Sequence, residues 1–274
     1  MQINFAKGCL LLISPIAPVI VSTPSLAATI GRTDATVNIN NFSHNPDEVL
    51  TLTDTFTDTF ATNGQVNTDV DAVANFFTNP PSANNTSFSR VDGNGSEYFG
   101  SAESIAGVIG YDFSLKPGET FSFDFDAALN LTTSIDNPET EAANAQGKIS
   151  FKLYDTTNQD NWLDLDYFTL SGLTSSGNNN DYLDYDKSDS ISLNQSGIID
   201  TNFGGDKESA NASIQGSFSR TFDNSINLTL VEVKTNQASV NVPEPSSFLG
   251  LLLGIIGMGY KITSKAFNSR YRRY

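Results

Sequence analysis

Cysteine, histidine and basic residues are what this 274-residue chain is short of. The single cysteine, Cys9, lies in the first ten residues, so the rest of the chain has no disulfide, thiolate nucleophile or cysteine metal site. The only histidine, His44, rules out a multi-histidine metal centre, and any Ser-His-Asp triad would have to be built on it. It stands in a polar stretch close to Pro46, the setting of a loop residue. Lysine and arginine number 15 against 31 acids, which leaves a formal charge of −16. Such a surface repels nucleic acid and suits a solvated exterior, with divalent cations as natural counterions.

Long apolar runs occur near the two ends. Lys7 precedes an apolar stretch from Cys9 to Val21, and Ser25-Leu26-Ala27 then supplies the small residues that a signal peptidase reads. We expect a cleaved secretory signal peptide over residues 1–27, cut between Ala27 and Ala28. Pro15, Pro18 and the shortness of the run argue against a permanent anchor, and Ala6-Lys7-Gly8 before Cys9 is no lipobox.

At the other end, Pro243 and Pro245 each lack an N–H and bias the preceding residue towards extended backbone. An uncharged run follows from Phe248 to Tyr260, then Lys261, Lys265, Arg270, Arg272 and Arg273 with no acid among them. The run is short for a spanning helix, but Ile262, Thr263, Ala266 and Phe267 extend it if the lysines snorkel. The expectation is a transmembrane helix over about 247–267, with its basic flank on the cytoplasmic side.

Val242-Pro243-Glu244-Pro245-Ser246-Ser247, the apolar segment and the terminal arginines, in that order, resemble the PEP-CTERM sorting tail of bacterial envelope proteins. The resemblance covers residues 241–274. It implies recognition of the 242–274 tail by an exosortase-like sorting enzyme, with Pro243, Glu244 and Pro245 as the motif. That family shares a sorting route and no single activity, so it says nothing of what the cargo does.

Between the two ends, residues 28–241 carry nine basic and thirty acidic residues, a balance of −21. The size suits one all-β domain. Residues 29–45 are polar and weakly periodic. Threonine then fills every odd position from Thr51 to Thr59, with Leu52, Phe56 and Phe60 on the other face, which predicts an edge strand. Thr68 and Asp71 form a capping box, and Val70, Val73, Ala74 and Phe77 share one helical face, so a short helix is predicted over Thr68–Phe77. From there the period is two. Ile109, Tyr111, Phe113 and Leu115 alternate with Gly110, Asp112 and Ser114, and Lys116-Pro117-Gly118-Glu119 supplies a type II turn. Phe121, Phe123, Phe125, Ala127, Leu129 and Leu131 oppose Thr120, Ser122, Asp124, Asp126 and Asn130. Shorter cases are Ile149-Phe151-Leu153, Leu163-Leu165-Tyr167 against Asp164 and Asp166, Ile191-Leu193, Ile214-Phe218-Phe222 and Ile226-Leu228-Leu230. Many short alternating strands with polar turns predict an antiparallel β-sandwich of jelly-roll type, its strand order left open.

Three chemistries compete for the acidic and aromatic residues. Asp124 with Asp126, Asp164 with Asp166, and Asp181, Asp184, Asp186 and Asp189 offer carboxylate pairs for glycoside hydrolysis. Among thirty acids such pairs arise by chance, and aspartates between inward aromatics read as a solvated face. Asp92-Gly93-Asn94-Gly95-Ser96-Glu97 places oxygen ligands as a calcium loop does, with Asp92, Asn94, Ser96 and Glu97 as candidates. It departs from an EF-hand by lacking glycine at the sixth place, and Glu103 takes the twelfth only if counting begins at Asp92. Tyr98, Trp162, Tyr182 and Tyr185, if exposed, suit stacking on sugar rings. The sequence therefore points to an exported, non-enzymatic envelope or extracellular-matrix protein with no catalytic residue assigned, associated with polysaccharide. The alternative is a calcium-dependent glycan-binding or glycan-hydrolysing β-sandwich. Expected partners are signal peptidase, the exosortase-like enzyme, the lipid bilayer through the tail, and an extracellular polysaccharide, with no nucleic acid.

Overall fold

The computed structural model describes residues 28–176, 180–194 and 197–243. The expected signal peptide through Ala27, Glu244 and Pro245 of the sorting motif, the spanning helix and the basic flank from Lys261 to Arg273 lie outside the described residues.

Eleven strands follow one another, with no helix among the described residues. They are β1 (Ala28–Asn40), β2 (Glu48–Thr78), β3 (Pro81–Leu115), β4 (Thr120–Ser134), β5 (Ala142–Asp155) and β6 (Leu163–Ser176). After these come β7 (Tyr182–Lys187), β8 (Ile191–Leu193), β9 (Ile198–Asn202), β10 (Lys207–Thr221) and β11 (Ile226–Val242). Every pairing is antiparallel, in the order β7-β6-β5-β11-β3-β1-β4-β10-β8, with β2 on β3 and β9 on β10.

This one sheet doubles over because its longest ribbon bends. β2 and β3 run side by side as a hairpin turning at Asn79-Pro80, where the peptide bond is cis. The register slips at Ala61, Asn63 and Gly64, opposite Gly95, whose φ of 122° is open only to glycine. Beyond the bend β3 folds back over itself: Ser89 and Ser104, fifteen residues apart on one strand, meet at 3.0 Å between hydroxyls. In a straight strand they would lie about 50 Å apart. Gly93 is fixed by the same bend, since a Cβ there would sit 2.0 Å from the Tyr98 ring. One half of the ribbon pairs with β1 (residues 83–94) and the other with β11 (residues 98–115).

Two facing layers result. The first holds the later half of β2, the earlier half of β3, β1, β4, β10, β8 and β9; the second holds the remaining halves, β11, β5, β6 and β7. β4 faces β5 and β6 across the core, and β1 lies over β5 and β11. The far side is nearly closed as well, without ladder bonds. Arg220 on β10 reaches Asp166 on β6 at 2.8 Å. Glu208, at the other end of β10, accepts the Ser175 N–H of β6 at 3.1 Å. The shape approaches a flattened barrel.

Phenylalanine rings supply the largest side chains of the core. Phe113, Phe121, Phe123, Phe125, Phe151, Phe168 and Phe218 are buried with ring centroids 4.8–6.1 Å apart, as offset and tilted rings prefer. A second apolar cluster, Val91, Tyr98, Ala102, Ala143, Ala238 and Val240, lies near the bend. Beside these clusters runs a polar strip. Asn236 donates to Ser87, Asn85 donates to Glu232, and Lys234 Nζ bonds Glu232 Oε1 at 3.0 Å, with both charged side chains wholly buried. Burial pushes the Glu232 carboxyl up and the Lys234 ammonium down, each opposed by the partner's charge.

The structure departs from the sequence pattern in several places. The helix predicted over Thr68–Phe77 is strand: it lies in β2, paired residue by residue with β3. Its even residues, Val66, Val70, Ala74 and Phe76, turn inward, while Val73 and Phe77 face out. Tertiary pairing overrides the local helical pattern here. Residues 28–40, read as weakly periodic, form the central strand β1, with Thr29, Thr33, Ala35, Val37 and Ile39 buried. The Ile109–Leu115 alternation changes phase midway. Asp112 has φ 54° and β3 bulges there, with Tyr111 and Asp112 opposite Thr229 of β11, so Ile109 and Tyr111 turn outward while Phe113 and Leu115 are buried. A bulge at Leu153/Tyr154 likewise separates Asp164, exposed on Lys152, from Asp166, buried on Arg220. The edge strand at Thr51–Thr59, the type II turn at Gly118 and the inward phenylalanines of β4 stand as predicted.

Removing Lys234 leaves an uncompensated carboxylate in the core. Lys234→Met is expected to destabilise the fold by about 3–5 kcal/mol, and adding Glu232→Gln is expected to restore most of the loss. In the single variant Glu232 is protonated in the folded chain at pH values where the unfolded chain has released the proton. Its stability therefore falls as pH rises above the ordinary carboxylate range, and denaturant melts across pH 4–8 check that sign.

Candidate functional site

The outer face of the first layer carries a shallow groove of about 420 Å³ lined by Ile30, Arg32, Asp34, Arg90, Asn130 and Thr132. Strand pairing builds it. Arg32 on β1 lies opposite Arg90 on β3 and Thr132 on β4, while Asp34 lies opposite Phe88 and Asn130. All point outward because their neighbours Thr33, Ala35, Ser89 and Val91 point into the core.

Each arginine is clasped by the aspartate two residues on. Arg32 Nε reaches Asp34 Oδ2 at 2.8 Å, and Arg90 Nε reaches Asp92 Oδ2 at 2.7 Å. Each guanidinium also donates from Nη2 to its aspartate's Oδ1, at 3.4 Å for Arg32 and 2.8 Å for Arg90. The bond to Asp34 holds the Arg32 charge even more firmly than usual. The Arg32 guanidinium also lies 5.3 Å over the Phe88 ring. Two like cations can therefore stand side by side, because each has its own counterion. The result is a mosaic of planar donors and carboxylate acceptors, flanked by the Asn130 amide and the Thr132 hydroxyl.

The candidates named from sequence are dispersed. Asp92 is committed to Arg90, Ser96 accepts from Asn63 Nδ2 at 2.7 Å at the bend, and Asn94 sits in the ladder between Ala28 and Gln65. Glu97 pairs with Asn63 across the ladder. Among the described residues, no three or more His, Cys, Asp or Glu side chains are grouped to hold a metal ion. Asp124 accepts from Asn41. Asp184 and Asp186 cap the backbone N–H groups of Tyr185 and Lys187 on the edge strand β7. His44 contacts Ser43 Oγ and Glu119 in a loop. Tyr98 is buried, not exposed: its hydroxyl donates to Thr29 Oγ1 at 2.6 Å, and burial raises its pKa. Tyr182 and Tyr185, an odd number of positions apart on β7, face opposite sides. Trp162 is 40% exposed and lies against Tyr154 and Tyr111, at centroid distances of 5.7 and 6.5 Å, at one end of the second layer.

Arg32, Asp34, Arg90, Asn130 and Thr132 were not singled out by sequence reasoning, although a signal was there. In a domain with nine cations, two arginines are each followed two residues later by aspartate, the spacing of one strand face. No protein-family model, no curated protein and no solved structure matches the chain.

Proposed function

We propose that this is an exported, non-enzymatic component of the cell envelope or extracellular matrix, a jelly-roll-type β-sandwich that binds neutral polysaccharide on the outer face of its first layer. The observation that carries the reading is a pair of Arg–Asp clasps running in opposite directions on neighbouring strands, with Arg32, Asp34 and Arg90 lining one groove. Sugar hydroxyls both donate and accept. A guanidinium beside a carboxylate meets a vicinal pair of hydroxyls with one donor and one acceptor, and the motif occurs on two neighbouring strands, with Asp92 opposite Ile30 of the groove. The pairing also leaves the site without excess positive charge, which favours a neutral chain over an anionic one.

Two features at the ends of the domain support the export route. The β11 ladder runs to Val242, paired with Tyr98, and Pro243 follows at once. Cleavage at the Pro-Glu-Pro motif would thus release the tail without unpairing a strand. At the start, the Ala28 backbone nitrogen lies 3.1 Å from Asp136 Oδ2. Cleavage before Ala28 would turn that amide contact into an ammonium–carboxylate pair.

Retention of the purified protein on immobilised neutral and uronate polysaccharides tests the binding reading. Arg90→Ala together with Arg32→Ala is expected to weaken binding to the neutral polymers at least tenfold with an unchanged melting temperature. Equal binding by the double variant, or retention on no polysaccharide, overturns it. Mass spectrometry of the surface fraction tests the route: a mature chain beginning at Ala28 and ending near Pro243 is expected, whereas an intact Tyr274 argues for a permanent anchor.

A further inference from the structure

The first half of β2 differs from the other long strands. From Leu50 to Gly64 both of its faces are exposed, although it is paired along its whole length with β3. Leu52, Phe56 and Phe60 are 50–61% exposed on one face, and the threonines from Thr51 to Thr59 occupy the other. Its outer edge is unpaired. The strand has no lysine, arginine or proline, although Pro46 stands two residues before it and Pro80 and Pro81 follow it. Charged caps and prolines are the usual protection of such an edge. The opposite edge, β7, has that protection, since the Tyr185 and Lys187 N–H groups are taken by Asp184 and Asp186 at 2.8 and 2.9 Å. On β2 only the Thr55 N–H is held in this way, by Asp54 at 2.9 Å; Asp58 does not cap Thr59.

That single bond also sets the phase of the edge. With its N–H bound to the adjacent carboxylate instead of β3, Thr55 directs its backbone outward, and so do the other odd-numbered residues, all threonine from 51 to 59. We infer that this edge pairs antiparallel with the same edge of a second copy, about a two-fold axis at Thr55.

The repeat Thr-Asp-Thr-Phe selects that register. Centred on Thr55, Thr51 meets the partner's Thr59, Thr53 meets Thr57, and Thr55 meets itself, each a hydrogen-bonded threonine pair. On the other face Leu50 meets Phe60, Leu52 meets Asp58 and Asp54 meets Phe56, so no carboxylate faces another. Centring on Phe56 would set Asp54 against Asp58 twice; centring on Thr53 would set Glu48 against Asp58. Centring on Thr57 keeps the carboxylates apart but sets Thr53 against Ala61 and Leu50 against Gly64, so it forms fewer threonine pairs and loses the Leu50–Phe60 contact. The Thr55 register therefore joins the second layers of two copies into one continuous sheet and doubles the Leu50-Leu52-Phe56-Phe60 stripe. Since both edges are acidic and carry no cation, association should strengthen as salt screens them.

Sedimentation of the full chain in mild detergent, with Cys9→Ser, tests the pairing. Thr57→Pro removes one outward N–H and leaves the β3 ladder intact, so we expect an unchanged melting temperature and at least a tenfold weaker dimer. In the same background Thr55→Cys is expected to oxidise to a covalent dimer, and Thr51→Cys alone is not; Thr51→Cys with Thr59→Cys is. A monomer at all salt concentrations overturns the inference. So does a dimer untouched by Thr57→Pro, which would place association in the apolar tail. Cross-linking of Thr51→Cys to itself, or of Thr55→Cys to a different protein, also overturns it.

Discussion

Everything in this structure depends on one ribbon turning back on itself. β2 and β3 are too long for a single layer, and the bend at residues 93–97 shares their halves between two layers. The bend brings Ser87 and Ser89 over Ser104 and Asn236, and it stacks β1 on β11 and β5. Without it the inward residues of β1 and β11 would have nothing to face. The glycines around it follow from contact as well as from φ, since the Tyr98 ring occupies the space a side chain at Gly93 would need.

The polar strip is the cost of that arrangement. Where β3 covers itself and β11, short side chains and hydrogen bonds take the place of phenylalanine, and Glu232 and Lys234 share a dry environment. Such a pair contributes little net stability, because desolvation offsets most of the attraction. It does penalise any shift of β11 by one residue, which would turn both charges to the outer face and leave Asn85 without its partner. Register, more than stability, is what the pair supports. Arg220 and Glu208 act similarly on the far side, tying β10 to β6 where no ladder joins them.

The all-β class and the inner face of β4 were legible in the sequence, because a period of two with phenylalanine on one side has one physical meaning. The stretch at Thr68–Phe77 was misread since Val70, Val73, Ala74 and Phe77 suit a helix as well as a strand, and only the distant partner β3 decides between them. Phase changes at Asp112 and at the Leu153/Tyr154 bulge leave no mark in a hydrophobicity pattern, so the faces of Tyr111 and Asp166 were misplaced. β1 escaped notice because its buried face carries two threonines and a glycine under β5 and β11. The groove was hidden for a related reason: Arg32 and Arg90 are 58 residues apart in sequence and become neighbours only through strand pairing.

Doubling of β3 organises both layers, and a designed disulfide probes it. The chain has no cysteine after Cys9, and Ser89 and Ser104 are buried with their hydroxyls 3.0 Å apart. Ser89→Cys with Ser104→Cys, in a Cys9→Ser background, is predicted to close an intrachain disulfide within the folded protein, seen by mass spectrometry as the loss of two hydrogens with the two peptides linked. Two thiols that stay free under mild oxidation of the folded chain would mean that β3 does not fold back over itself.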